Sequence, residues 1–144
     1  MSAIKIYPAD EWFSKCVRSR AGWKCEYDNC GRYYPEGTAR LGLHCAHFYG
    51  RRGKSTRWVS DNAWSFCFSH HTLMDSNAPD FVLFANKLLG EGALEILREK
   101  HRELYKGWKK DLKAISKHYR EEFRRIEALR DGGAEGRIEF TSWH

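Results

Sequence analysis

The chain has 144 residues, of which 42% are hydrophobic and 15% aromatic, so it is too apolar to be disordered and is expected to fold as one small domain with at most a helical appendage. Its 25 Lys and Arg residues exceed its 19 Asp and Glu residues, and the net charge of +6 favours a polyanionic partner. No apolar run is long enough for a membrane helix and no secretory signal begins the chain, which predicts a cytoplasmic protein that does not bind membranes.

The first predicted element is a helix over residues 9–21. Apolar side chains recur at helical spacing from Trp12 to Val17, Asp10 is the expected N-cap, and Gly22 closes the segment. Residues 23–70 follow a different pattern, because aromatic residues, Gly, Cys and His are dense and no long periodic segment occurs. A stretch of this kind builds only a small core and needs a covalent or metal staple.

Two short Cys/His pairs supply the ligands for such a staple. They are Cys25-x4-Cys30 and Cys67-x2-His70, and ligands two to four residues apart can reach one ion from a tight turn. In a cytoplasmic protein disulfides are rare, so five cysteines indicate metal ligands or buried thiols. We therefore predict a structural Zn²⁺ bound by these four residues. The adjacent His71 leaves open an exchange of roles with His70.

The C-terminal half is predicted to be helical. An amphipathic segment covers residues 80–89, and apolar residues at spacings of three and four continue over residues 93–130 as one long helix or as two, with Gly107 as the weak point. The other faces of this segment are strongly charged. It either packs on the core or on a second copy as a homodimer surface, or it tracks DNA. Residues 132–144 are expected to form a flexible tail.

A second pattern lies within the zinc-ligand segment, in the order His47, Asn62, His71. Framed by the two pairs, it resembles the HNH nuclease motif. The resemblance implies a ββα-metal fold in which His47 ends a strand and acts as general base, Asn62 orients it, and His71 opens a helix and binds a divalent cation. Phosphodiester hydrolysis needs such an activated nucleophile and a cation that stabilises the developing charge.

The wider sequence resembles phage-encoded HNH proteins related to the Rap/NinG recombination endonucleases. The segments that carry the resemblance are WFSKCVRSR (residues 12–20), CAHF (45–48), GRR (50–52), RWVSDNA (57–63) and CFSHH (67–71). It covers roughly residues 9–80. It implies a phage protein in the host cytoplasm that acts in DNA recombination. His70 stands where those relatives usually have Cys, which preserves a zinc ligand.

The ligands of the catalytic cation are less well determined by the pattern. Many HNH motifs place Asp or His directly before the base, where this chain has Ala46. We expect Mg²⁺ or Mn²⁺ to be bound by His71, by Asp75 one helical turn later, and by Cys45. Alternation along the strand leaves undecided whether Cys45 or His44 reaches the cation.

A basic stretch covers residues 37–60 and contains no acidic residue. Lys and Arg neutralise phosphates, and interleaved aromatic residues can stack on unpaired bases. Its position between the expected base and Asn62 favours substrate binding over a merely solvated loop. The residues expected to bind DNA are Arg40, Arg51, Arg52, Lys54 and Arg57.

Together these patterns predict an α+β fold, with a small zinc-stapled ββα-metal core, an N-terminal helix and a long C-terminal helical segment. The predicted division is a nuclease domain at 1–90, a helical extension at 91–131 and the tail at 132–144. The predicted function is a metal-dependent DNA endonuclease. The alternatives are a non-catalytic zinc-dependent nucleic-acid-binding module and an assembly protein driven by the long helix.

Overall fold

The computed structural model describes residues 3–144, apart from the side chain of Arg40. It confirms an α+β fold, in which helices surround a two-stranded antiparallel sheet. In chain order the elements are α1 (Pro8–Arg20), a 3-10 turn (Glu36–Thr38), α2 (Ala39–Gly42), β1 (Leu43–His47), a 3-10 turn (Ser60–Asn62), β2 (Ala63–Cys67), α3 (Phe68–Ser76), α4 (Ala78–Leu89), α5 (Ala93–Arg102) and α6 (Trp108–Asp131).

Helix α1 begins one residue earlier than predicted because Pro8 occupies its first turn, where the missing N–H costs nothing. The N-cap is Tyr7 and not Asp10. Asp10 lies in the first turn, and its carboxylate accepts the backbone N–H of Tyr7 at 2.8 Å. The prediction of Asp10 as N-cap was therefore wrong by three positions, although its carboxylate still satisfies the start of the helix.

The strands β1 and β2 form a hairpin in which Leu43 faces Cys67 and His47 faces Ala63. All five residues of β2 are buried, and the rings of Trp64 and Phe66 pack against α4. Helix α3 starts immediately after β2, so the hairpin and α3 follow one another in ββα order. This arrangement brings the end of β2 and the first turn of α3 close to β1.

The predicted C-terminal helical segment is two helices. Helix α5 ends at Arg102, and Gly107 is the N-cap of α6, which agrees with its low helix propensity. Helix α6 packs along α1: the ring of Phe123 lies 5.8 Å from that of Trp12, and the Cys16 thiol donates to the Tyr119 carbonyl at 3.1 Å. The apolar face of α6 thus belongs to the same core as the hairpin.

The segment after α6, predicted to be a flexible tail, runs back over the core. Phe140 is buried between the rings of Phe13 and Tyr119, and the Trp143 N–H donates to the Tyr119 hydroxyl at 2.9 Å. Among the described residues, no helix is both long and apolar enough to cross a bilayer.

Candidate metal centre and adjoining cleft

Cys25, Cys30, Cys67 and His70 lie together as the sequence predicts. One ligand atom from each falls within 4.8 Å of the other three, in a group that could hold a metal ion such as zinc. The residues on either side of Cys30, Asn29 and Gly31, have φ of 60° and 61°, the left-handed region that these residue types adopt most readily. Cys67 and His70 come from the end of β2 and the first turn of α3.

The ligand that His70 offers to this group is Nδ1. This atom lies 3.2 Å from Sγ of Cys67 and 3.5 Å from Sγ of Cys25, and the ring stacks on Tyr27 at 4.0 Å. Three thiols and one imidazole are a donor set that suits tetrahedral Zn²⁺. Burial raises the pKa of the Cys25 thiol to about 12, so binding of a metal to its thiolate displaces a proton.

An open cleft of about 520 Å³ lies next to this group, on the other side of the first turn of α3. Helix α1, strand β1, the start of the inter-strand loop and α3 all contribute to its walls. The lining residues are Ile4, Ser14, Arg18, Leu43, His44, Cys45, His47, Gly50, Arg51, His71 and Asp75.

His44 and His71 meet at this cleft, and their Nδ1 atoms lie 2.9 Å apart. Two imidazole nitrogens at this separation either share a proton or bind the same cation, since adjacent ligands of an octahedral ion with bonds of about 2.1 Å are about 3 Å apart. On its other side, Nε2 of His71 is 3.3 Å from the Asp75 carboxylate. His71 thus belongs to this pair, and the alternative exchange with His70 at the Cys cluster is not what the structure shows.

The predicted ligand Cys45 is replaced by His44 in the pair. The side chains of consecutive strand residues point to opposite faces, and the face that meets α3 carries His44. Cys45 is buried beside Ser14, and burial raises the pKa of its thiol. The residue of β1 that contacts His71 is therefore His44 and not the predicted Cys45.

The ring of His47 is oriented by the backbone of the inter-strand loop. Its Nε2 lies 3.1 Å from the carbonyl oxygen of Arg57. Because a carbonyl only accepts, Nε2 carries the hydrogen and Nδ1 is the unprotonated nitrogen. Burial and, next, the charge of Arg51 lower the pKa of His47 to about 3. A neutral imidazole with a lone pair on Nδ1 is the form that can accept a proton.

Asn62 acts on His47 through the loop and not by direct contact. Its Oδ1 accepts the Tyr49 N–H at 2.8 Å, and its Nδ2 donates to the carbonyls of Tyr49 at 2.9 Å and Thr56 at 3.0 Å. Asn62 is fully buried. It holds the loop backbone at Thr56, next to Arg57, whose carbonyl contacts His47.

The five basic residues predicted to bind DNA occupy different environments. Arg51 lines the cleft, Arg52 is exposed, and Lys54 lies over the ring of Trp108 at 4.8 Å. Arg57 is buried and its guanidinium pairs with Asp10 at 2.8 Å, so it is not accessible to a phosphate and its predicted role is corrected. The side chain of Arg40 lies outside the described residues.

Two residues of the cleft were not singled out from the sequence. Ser14 and Arg18 lie one turn apart on α1, and their side chains are joined by a 2.8 Å hydrogen bond at the cleft wall. Their i, i+4 spacing predicts a shared helix face. Nothing in the local pattern indicates that this face meets His47, because the contact depends on how α1 packs against β1.

Comparisons with protein-family models, with curated proteins and with solved structures find no match to this chain.

Proposed function

We propose that the chain is a metal-dependent DNA endonuclease of the HNH class. The observation that supports this most is that one cleft is lined by a neutral imidazole with a free Nδ1, at His47, and by the paired imidazoles of His44 and His71. The first can accept a proton, and the pair can hold a cation. The ββα order of β1, β2 and α3 agrees with the same proposal.

In this proposal the Cys25, Cys30, Cys67 and His70 group holds a structural Zn²⁺. The three thiolates would neutralise the charge of the ion. The ligands come from two separate segments, one with Cys25 and Cys30 and the other with Cys67 and His70, and no disulfide joins them. Binding all four to one ion fixes the first turn of α3 against the segment at 25–30. Because His71 directly follows His70, the same ion fixes the direction in which His71 points.

The catalytic cation, Mg²⁺ or Mn²⁺, would be held by His44 and His71, and it would stabilise the charge that develops on the phosphate and the leaving oxygen. Asp75 contacts Nε2 on the other side of the His71 ring and would orient that ring. His47 takes the proton of the attacking water on Nδ1. Its Nε2–H remains bound to the Arg57 carbonyl throughout, so the ring does not rotate as its charge changes.

Arg18 and Arg51 place positive charge in the cleft walls close to the proposed base. Each has an Nε atom that is buried without a hydrogen-bond partner, which a phosphate oxygen can satisfy. Burial first, and then the charge of Arg51, disfavour protonation of His47, so that the base stays neutral when no substrate is bound. A phosphodiester bound by Arg18 and Arg51 would lie in the same cleft as the imidazole pair.

Plasmid nicking with added Mg²⁺ or Mn²⁺ tests the proposal. We expect His47→Ala, His44→Ala and His71→Ala each to lower the rate by at least ~100-fold while the proteins stay folded. His118→Ala is the matched control: it removes an imidazole outside the cleft, where its ring contacts the Thr141 carbonyl, and should retain activity. If wild-type protein binds DNA but never cuts it with any divalent ion, the alternative of a non-catalytic zinc-dependent binding module is correct.

The preferred DNA structure can be tested with the same protein. The resemblance to Rap/NinG-like proteins favours branched recombination intermediates over linear duplex. A panel of linear, nicked, single-stranded and four-way substrates should show the highest kcat/KM on the branched forms.

A further inference from the structure

The solvent face of α6 carries a continuous row of basic side chains. They follow one another at spacings of three and four residues, which places them on one face over about 21 Å of helix. All are exposed except Arg120, which is partly buried. This row, called the α6 stripe below, consists of Lys110, Lys113, Lys117, Arg120 and Arg124.

The α6 stripe is not neutralised within the described part of the chain. No ion pair joins any of its five residues to a carboxylate. Three acidic residues of α6 are engaged elsewhere: Asp111 accepts from Tyr105, Glu122 pairs with Arg125, and Glu127 accepts from Ser19. The positive charge is therefore available to an external anion.

A groove of about 690 Å³ runs between the α6 stripe and the start of α1. Tyr7, Pro8 and Ala9 form one wall, and the residues of α6 from Lys110 to Arg120 form the other. Helix α1 contributes to both cavities: its start lines the groove, and Ser14 and Arg18 line the cleft.

We propose that the α6 stripe and its groove bind the sugar–phosphate backbone of duplex DNA outside the cleavage site. At a rise of about 3.4 Å per base pair along the duplex axis, the length of the stripe corresponds to about six base pairs. That the bound polyanion is DNA rests on the proposed endonuclease function. The stripe extends the contact beyond the scissile phosphate, so it contributes to binding of DNA and not to the chemical step.

Charge and exposure favour DNA over the other partners of a basic helix. A helix that lies on a membrane presents apolar residues between its charges, whereas the apolar face of α6 is buried against α1. Of its large apolar side chains only Leu129 is substantially exposed. An acidic protein would use the same charges, and the duplex-binding test below separates the two: if the stripe served only such a protein, reversing its charges would leave the affinity for duplex DNA no weaker than in the control variant.

The test measures binding of a fluorescent 30-bp duplex by anisotropy, with full-length protein and without added Mg²⁺, Mn²⁺ or chelator, as a function of salt. We expect Lys113→Glu combined with Lys117→Glu to weaken binding at least about tenfold at 0.1 M salt and to reduce the slope of log K against log salt by about 2. The matched control reverses two exposed lysines elsewhere, Lys24→Glu with Lys87→Glu, and should keep the slope.

A gain-of-function variant guards against a misfolding artefact. Glu121 flanks the α6 stripe and is exposed, so Glu121→Lys adds a sixth charge and should tighten binding and steepen the slope by about 1. Equal effects of the stripe and control double variants, or no effect of Glu121→Lys, would overturn the inference. The binding inference and the nuclease proposal can be refuted separately. A wild-type protein that binds DNA through the stripe but never nicks it would refute the nuclease proposal and leave the binding inference standing.

Discussion

Asp10 and Arg57 form a bidentate ion pair whose side chains are 3% and 1% exposed, although 47 residues separate them in the chain. The guanidinium also donates to the Lys5 carbonyl at 2.6 Å. The backbone carbonyl of Arg57 in turn accepts the N–H of His47. The first helix is thus tied to the loop that orients the proposed base, and the salt bridge serves the geometry of the cleft as well as stability.

Removing one partner of this ion pair should strongly destabilise the folded protein. Asp10→Ala leaves the Arg57 charge buried and unpaired, and we expect the free energy of unfolding to fall by about 3–5 kcal/mol. Urea denaturation measures the loss. Asp28→Ala breaks an exposed pair with Lys87 and should cost no more than about 1 kcal/mol. Similar losses in the two variants would show that the buried pair contributes little.

Asn62→Ala should both destabilise the protein and slow cleavage. It removes three hydrogen bonds to the inter-strand loop and leaves buried backbone groups without partners, at an expected cost of about 2–4 kcal/mol. Because the loop then no longer fixes the Arg57 carbonyl, kcat should fall more than KM rises. The control is Asp61→Ala at the exposed neighbouring position. A variant with unchanged kcat would disprove the positioning role.

The pKa of His47 predicts how stability depends on pH. Its pKa falls from 6.5 to about 3 on folding, so between these values the unfolded chain binds a proton that the folded chain does not. This contribution to stability is complete above pH 6.5 and is lost progressively as the pH falls towards 3. Denaturation between pH 4 and 8 should show a shallower pH dependence for His47→Gln than for wild type. Parallel curves would contradict the depressed pKa.

Loss of the structural metal should unfold the region around residues 23–75. We expect Cys67→Ala to lower the free energy of unfolding by more than about 4 kcal/mol, because the metal contributes folding free energy directly. Cys16→Ala is the matched control, since it removes a buried thiol outside the cluster and should cost only about 1 kcal/mol. A chelator should melt wild type but not further destabilise Cys67→Ala. If the wild-type protein kept its full thermal stability after treatment with a chelator, the hypothesis of a structural metal would be wrong.

The sequence predicts best what depends on local spacing. The Cys25, Cys30, Cys67 and His70 cluster follows from two short pairs, and the structure brings these four side chains together. The first helix and the break at Gly107 likewise follow from periodicity and propensity. The contacts within each pair, within the first helix and at Gly107 are local, so residue type and spacing are enough to predict them; the meeting of the two pairs, 45 residues apart between Cys25 and His70, followed from the expectation that one ion needs four ligands.

What the sequence could not show depends on packing between distant segments. From the sequence, Arg57 is indistinguishable from the other cations of the basic stretch at residues 37–60, because its partner Asp10 lies in another element. The choice of His44 over Cys45 depends on which face of β1 meets α3. The tail has too little periodicity to suggest that Phe140 fills a space between α1 and α6.

His70 and His71 are consecutive residues of α3, yet the first joins the Cys cluster and the second the imidazole pair at the cleft. One helical step of about 100° therefore separates two sites with different chemical preferences. Inserting or deleting a single residue at this point would misdirect both histidines at once. A redesign of the cleft around His71 therefore has to keep the helical register that places His70 in the Cys cluster.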